Sequence, residues 1–274
     1  GGWSALASMD ANLADFANIS LSGKMSTIGF GSIDKSPNQR SKEELKQYGL
    51  ISSLNLGQLL PNKWEIQIPV SYSISEEFST PEYDPFYQDI KLEDRLNSAN
   101  SEQEKESIKN QAISYRKVSS INLLGVKKNR SADQKERVYD IENFDFSYSY
   151  NQELQHDYEI ENFTKKMARV GSAYNYSFNP FVISPFKKIK FLENNKYLEW
   201  IKEFNFNPLL SSFSFDANIN RTFNSQRFRD VYIEGAASSN QIAFPEIQQR
   251  NFLFDWNLSL SQNLSNSLRI DFSA

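Results

Sequence analysis

Large apolar and small polar residues alternate with a period of two along much of the chain. Between Trp64 and Ser75, Trp64, Ile66, Ile68, Val70, Tyr72 and Ile74 take one parity, and Glu65, Gln67, Pro69, Ser71, Ser73 and Ser75 the other. A period of two puts alternate side chains on opposite faces of an extended chain, so the segment is expected to form one uninterrupted strand. The pattern recurs in Phe144, Phe146, Tyr148 and Tyr150 against Asn143, Asp145, Ser147 and Ser149, and in Phe252, Phe254, Trp256, Leu258 and Leu260 against Asp255, Asn257, Ser259 and Ser261. Less regular versions pass through Ala17–Leu21, Tyr48–Leu56, Val118–Lys127, Val170–Phe178, Phe213–Ile219 and Leu268–Phe272. The reading gives about nine strands.

Several of these runs alternate for about 10 to 13 residues, roughly twice a common soluble strand. Twelve residues at about 3.3 Å each, tilted by about 45°, climb roughly 28 Å, close to the apolar belt of an outer-membrane barrel. The connections are uneven. Leu60–Lys63 and Asn263–Asn266 are short, whereas 31–47, 76–116 and 224–249 are long and polar and fall at the opposite end of an up-and-down meander. That asymmetry belongs to barrels with tight periplasmic turns and long external loops. Residues 179–208 are the exception, a long connection on the short-turn side. A soluble β-sandwich alternates in the same way and remains open as the other reading of the pattern.

Composition sharpens the choice. The chain has 37 Ser and 27 Asn against only four Thr, together with 21 Phe and 13 Tyr. Ser, Asn, Gln and Asp opposite an aromatic face suit a water-filled lumen better than a solvated sandwich surface rich in Thr, Lys and Glu. No run of about 20 apolar residues is present, which excludes membrane-spanning helices. There is no cysteine, so disulfides, thiolate metal sites and cysteine nucleophiles are out. A net charge of -4 is no electrostatic footprint for nucleic acid. The odd number of strands and the mid-pattern ends read as an internal stretch of a larger, unclosed barrel.

The residue strings themselves resemble a known family. Gly2-Trp3-Ser4-Ala5-Leu6-Ala7-Ser8-Met9-Asp10, Asn18-Ile19-Ser20-Leu21-Ser22-Gly23, Ile28-Gly29-Phe30-Gly31, Leu59-Leu60-Pro61-Asn62-Lys63-Trp64, Tyr83-Asp84-Pro85-Phe86 and Phe215-Asp216-Ala217-Asn218-Ile219-Asn220-Arg221 are similar to the SprA/Sov family of gliding-motility and secretion proteins of Bacteroidetes. The resemblance extends over essentially the whole chain. It implies part of the type IX secretion translocon, a very large single-chain β-barrel of the Gram-negative cell outer membrane that passes folded cargo proteins to the surface. The implied partners are the remainder of the same barrel, a PorV-like shuttle barrel, a periplasmic plug protein, secreted cargo with a C-terminal signal, and outer-membrane lipid. No cofactor is implied. Residues 1–274 are then one partial barrel without a second domain, 76–116 an external loop and 179–208 a periplasmic connection. An outer-membrane barrel with another task and a soluble adhesin or binding module are the alternatives.

Site expectations follow from the strand faces. Gln67, Ser71, Ser73, Asp145, Ser147, Asp216, Asn218, Asn220, Asp255, Asn257 and Ser259 are candidates to line a pore. Trp64, Ile66, Ile68, Val70, Tyr72, Phe252, Phe254, Trp256, Leu258 and Leu260 are candidates to meet lipid or a partner barrel. Ser101 followed by Glu104 is a capping-box signature for a helix in 76–116. A second helix around Lys196 to Phe204 would gather Tyr197, Trp200, Ile201 and Phe204 on one face, either docking a periplasmic subunit, lying in the membrane interface or packing under the barrel rim. No catalytic constellation is present: His156, the only histidine, reads as a solvated loop residue, and no glycine-rich oxyanion turn accompanies the many serines. The acidic groups Glu76, Glu77, Glu82, Asp84, Asp89, Glu93 and Asp94 lack the spacing of a calcium loop and read as solvated loop charge.

Overall fold

The computed structural model describes residues 2–14, 16–31, 40–131, 133–187, 203–230 and 244–274. Eleven strands form one antiparallel sheet: β1 (Ser4–Leu13), β2 (Ala17–Ser26), β3 (Glu43–Asn55), β4 (Ile66–Gln67), β5 (Pro69–Pro81), β6 (Ser114–Lys128), β7 (Phe144–His156), β8 (Ile160–Ser177), β9 (Ser212–Phe228), β10 (Ile247–Asn263) and β11 (Arg269–Ser273). Their spatial order follows the chain as a meander, apart from the two-residue β4, which pairs only with β6. The two outer strands, β1 and β11, do not pair with each other, so the sheet is open rather than closed into a barrel.

Two strands exceed the sequence-based number. β1 was hidden because Ala and Ser carry half of its positions, and a pattern of small residues has little amplitude. β4 arises because the expected uninterrupted strand from Trp64 to Ser75 is broken twice. Trp64 closes a short 3₁₀ turn, Asn62–Trp64, and Glu65 adopts the left-handed conformation at φ 50°. Ile68 then separates β4 from β5, which opens on Pro69, a residue with no N–H to give a ladder. Opposite this break β6 carries a bulge: Leu123 faces Tyr148 and Val126 faces Phe146, leaving one extra residue on β6. Gly125 takes φ 75° there, as a glycine-type bulge requires.

The tight turns have local causes. Asp157 Oδ1 accepts the N–H groups of Glu159 at 2.8 Å and Ile160 at 2.7 Å, which folds β7 back onto β8 within three residues. The long connections shrink relative to their sequence-based bounds, since β5 continues to Pro81 and β6 begins at Ser114. The 82–113 insertion between them holds two helices, α1 (Leu92–Asn97) and α2 (Glu102–Ala112). The expected cap is formed in a shifted version of the box: the Ser101 hydroxyl accepts from Glu104 N at 3.1 Å, and Glu104 Oε2 accepts from the N–H of Asn100, one residue before the cap, at 2.9 Å. The helix α1, whose six residues carry no side-chain cap, was not legible.

The helix expected around Lys196 to Phe204 lies outside the described residues, except that Phe204 packs on Phe186 with ring centres 6.1 Å apart. Among the described residues the buried hydrophobics are Ala17, Leu92, Ile108 and Ala112. Three of these four form the small core between α1 and α2, joined by Leu96 and Ala99. The sheet itself has no second layer over its aromatic face among the described residues, unlike the sandwich alternative, whose two sheets would bury that face against each other.

Candidate functional site

Direct cross-strand partners share a face, so the register determines both faces of the sheet residue by residue. Starting from Tyr72, the partners Ser52 and Ile121 lead through Tyr150, Ala168 and Arg221 to Phe252. The same step from Val70 gives Leu54, Leu123, Tyr148, Val170, Ile219 and Phe254. Every strand residue named above as lipid- or partner-facing from Val70 onward stands on this one face: Val70, Tyr72, Phe252, Phe254, Trp256, Leu258 and Leu260. Trp64 and Ile68 are the exceptions, lying outside the strands, and Ile66 sits on the separate β4. The face is open. Phe252 is 65%, Phe254 53% and Trp256 49% exposed.

The opposite face collects Ser71, Ser73, Asp145, Ser147, Asp216, Asn218, Asn220, Asp255, Asn257 and Ser259. Gln67 pairs with Lys127 on the β4 side branch. These groups satisfy one another. Ser73 and Ser120 share a hydrogen bond at 2.7 Å, the two amides Asn218 and Asn220 each donate to Asp255 at 3.1 Å, and Arg169 Nη2 donates to Asn218 Oδ1 at 3.2 Å. Gly171 leaves room beneath them, where a Cβ would stand 2.8 Å from Asn218 Oδ1. The result is a groove of about 400 Å³ with Asp145, Ser147, Arg169, Gly171, Asp216 and Asn218 in its lining. The face is not uniformly polar, since Leu6, Ile51 and Leu253 also stand on it and are exposed.

The aromatic face has a slant that no single strand reveals. The row containing Leu21 continues through Leu50 and Ile74, then becomes Ser119, Gln152 and Lys166 before reaching Phe223. On β2 the apolar positions of this face run from Ala17 to Met25, centred on Leu21; on β9 they run from Phe213 to Ile219, bounded by Arg221 and centred on 216. The band has moved seven residues, about 23 Å at roughly 3.3 Å each, across six strand gaps of about 4.8 Å, or about 29 Å. That is a slant of about 39°, within the range of about 35–45° by which strands of outer-membrane barrels tilt. β7 fits the same line: the row reaches Gln152, whereas the apolar run Phe144–Tyr150 is centred on 147, a shift of about 16 Å over about 19 Å.

Charges on the aromatic face lie towards one end of the strands. Lys117 Nζ meets Glu76 at 2.8 Å, and Arg250 stacks 5.5 Å over the Phe223 ring. At that end His156 is the last residue of β7, half-buried and 5.3 Å from the Tyr115 ring, not the solvated loop residue expected. Among the acidic groups of the insertion, Asp89, Glu93 and Asp94 are exposed as expected, whereas Asp84 departs from that expectation. Asp84 is fully buried; its Oδ1 accepts from Phe86 N at 2.8 Å and Tyr87 N at 3.1 Å, and its Oδ2 holds Arg95, which lies 4.8 Å over the Tyr87 ring. Glu82 pairs with Lys91 at 3.5 Å. No group of His, Asp and Glu able to hold a metal occurs among the described residues.

At the other end, the 129–143 connection, described except at 132, is stitched by polar groups that sequence reasoning passed over. Arg130 reaches Glu136 at 2.7 Å, Asn143 Oδ1 at 2.8 Å and Asp140 at 3.4 Å. The Glu142 carboxylate lies 2.7 Å from Lys128, whose ammonium holds that carboxyl below the usual carboxylate range.

The fold thus defines an all-β protein, an open, two-faced antiparallel meander with an aromatic band slanted across its strands. Residues 1–96, which span β1 to β5 and the start of the insertion, match the family model SprA_N, motility related/secretion protein. Over that stretch the chain is SprA-like, as the residue strings suggested, and the family implies a motility- or secretion-related function. Among curated proteins none matches the chain.

Proposed function

We propose that this chain forms part of the wall of an outer-membrane, protein-conducting channel of the type IX secretion kind, working without catalytic chemistry. The observation that carries the reading is the slant of the aromatic band. A belt lying square to the strands would sink Lys166 and Gln152 into hydrocarbon, whereas a belt about 25 Å tall and tilted by about 39° leaves Lys166 outside it and brings Gln152 to its edge. The aromatic face then meets lipid or a shuttle barrel, and the Ser, Asn and Asp face lines the lumen. Such a wall suits passage of folded cargo. Its groups are already hydrogen-bonded to one another, so they offer a polar protein surface neither an apolar patch nor a strong field to bind. The remainder of the barrel would continue from the free edges of β1 and β11, since an unpaired strand edge is not tolerated in a bilayer.

Single cysteines in the intact protein test both halves of this assignment. Cysteines at Asn218 and Asn257 are expected to react with a membrane-impermeant maleimide and to cross-link to a cargo protein stalled during export; cysteines at Ile219 and Trp256 are expected to do neither. Equal labelling of both pairs would discard the inside/outside assignment. Labelling of the polar pair without any cargo cross-link would leave a barrel of some other task.

A further inference from the structure

The 129–143 connection is built inside out. Its interior is ionic: Asp140 and Asn143 are each 8% exposed, the Glu142 side chain is 3% exposed, and Arg130 bridges Glu136, Asp140 and Asn143. Asn143 Nδ2 donates to the carbonyls of Arg137 at 2.8 Å and Val138 at 3.2 Å, and Arg137 N donates to Asp140 Oδ2 at 2.9 Å. Outside, Val138 is 51%, Tyr139 75% and Ile141 61% exposed. A connection facing water would reverse this arrangement, because exposing apolar area to water is unfavourable and burying ions more so. The loop also has a side. The Tyr174 hydroxyl donates to Val138 O at 2.6 Å, and Tyr174 belongs to the aromatic face, in the row of Phe144 and Phe215.

We propose that this connection is a membrane-interface anchor, with Val138, Tyr139 and Ile141 entering the boundary between phospholipid headgroups and acyl chains at this end of the sheet. The inference rests on the lipid-facing reading of the aromatic face and extends it to a loop. The occupant is a phospholipid surface because the apolar tip is continuous with that face through Tyr174, and because the chemistry is graded. Tyr139 is apolar in body and polar at its tip, the exposed Arg137 lies 5.8 Å from its ring centre, and Lys135 is exposed beside them, where phosphate groups would stand. Exposed Asp133 marks the part of the connection that stays in water. The ionic interior holds the tip in shape before it meets lipid, which lowers the ordering cost of insertion.

The test uses the intact protein in nanodiscs of phosphatidylethanolamine and phosphatidylglycerol. The chain itself has no cysteine, so single cysteines at Tyr139→Cys, Asp133→Cys and Phe254→Cys can each carry an environment-sensitive fluorophore. The anchor requires that the label at 139 shift to the blue, resist quenching by aqueous iodide, and lose more emission to a nitroxide near the lipid headgroup than to one deep in the acyl chain. The label at 133 should be quenched by iodide and that at 254 by the deep nitroxide. If 139 behaves like 133 while 254 meets deep lipid, the anchor is wrong and the lipid-facing reading stands. Protection at 139 without nitroxide quenching means protein covers the tip, which also overturns the anchor. If 254 escapes both nitroxides, the underlying reading falls and takes the anchor with it.

Discussion

Asp84 shows how one side chain organises a whole insertion. Its carboxylate, fully buried, closes the turn Tyr83-Asp84-Pro85-Phe86 through two backbone N–H groups and ties it to α1 through Arg95. Removing it leaves those N–H groups and a guanidinium that is only 24% exposed without an acceptor. Asp84→Ala is therefore expected to cost the insertion about 3 kcal/mol, the lower end of the range for breaking a buried pair because Arg95 retains some water. Hydrogen exchange in α1 and α2 should rise steeply, while β7 to β9 stay protected. Unchanged exchange in the helices would show that the small core of Leu92, Ile108 and Ala112 holds them alone. The sequence marked Asp84 as one acidic group among several and as part of a family-like string, but not as a buried carboxylate. Nothing local distinguishes a carboxylate that will be buried, because its partner lies eleven residues away on a helix that the pattern did not predict.

At the scale of elements, two glycines separate backbone need from space. Gly125 holds φ 75° at the β6 bulge, and a Cβ there would meet only Asp145 Oδ2 at 3.7 Å. Gly171 has ordinary strand geometry, but its Cβ would stand 2.8 Å from the amide end of Asn218, which can rotate aside. Gly125→Val is expected to destabilise by about 2 kcal/mol through strain alone. Gly171→Ala is expected to cost less than about 1 kcal/mol, while disturbing the Arg169–Asn218–Asp255 chain. Urea unfolding in lipid, followed by tryptophan fluorescence, would rank them; the reverse order would mean that the bulge tolerates another conformation. The strands themselves were largely legible, since β5, β7 and β10 carry strong alternation and most of the others a less regular form of it. The bulge and the break at Glu65 were not. Each keeps the alternation nearly intact in sequence while changing which residue pairs with which.

For the whole molecule, register and apolar pattern together set the slant. Leu21 and Phe223 share a row, yet a belt tilted by about 39° puts them about 18 Å apart in depth, because six gaps of about 4.8 Å project by that much onto the membrane normal. Ala217, six residues from Phe223 on the same strand, should sit near the depth of Leu21. Nitroxides at the three positions, compared by their accessibility to oxygen and to a water-soluble nickel complex, check this. Equal depths for 21 and 223 would mean that the strands stand square to the belt, which no barrel of this kind allows.

The sequence by itself determined that long strands have one aromatic and one polar face, because a period of two is a property of the extended backbone and needs no partner. It also carried the residue strings that mark the first third of the chain as SprA-like. Only the tertiary structure decided that all the strong faces lie on the same side of one open sheet, that the band on it is slanted, and that an ionic loop turns its apolar residues outward beside it. Those are relations between strands. They depend on register, and a register shift of a single residue would exchange the two faces without altering one letter of the sequence.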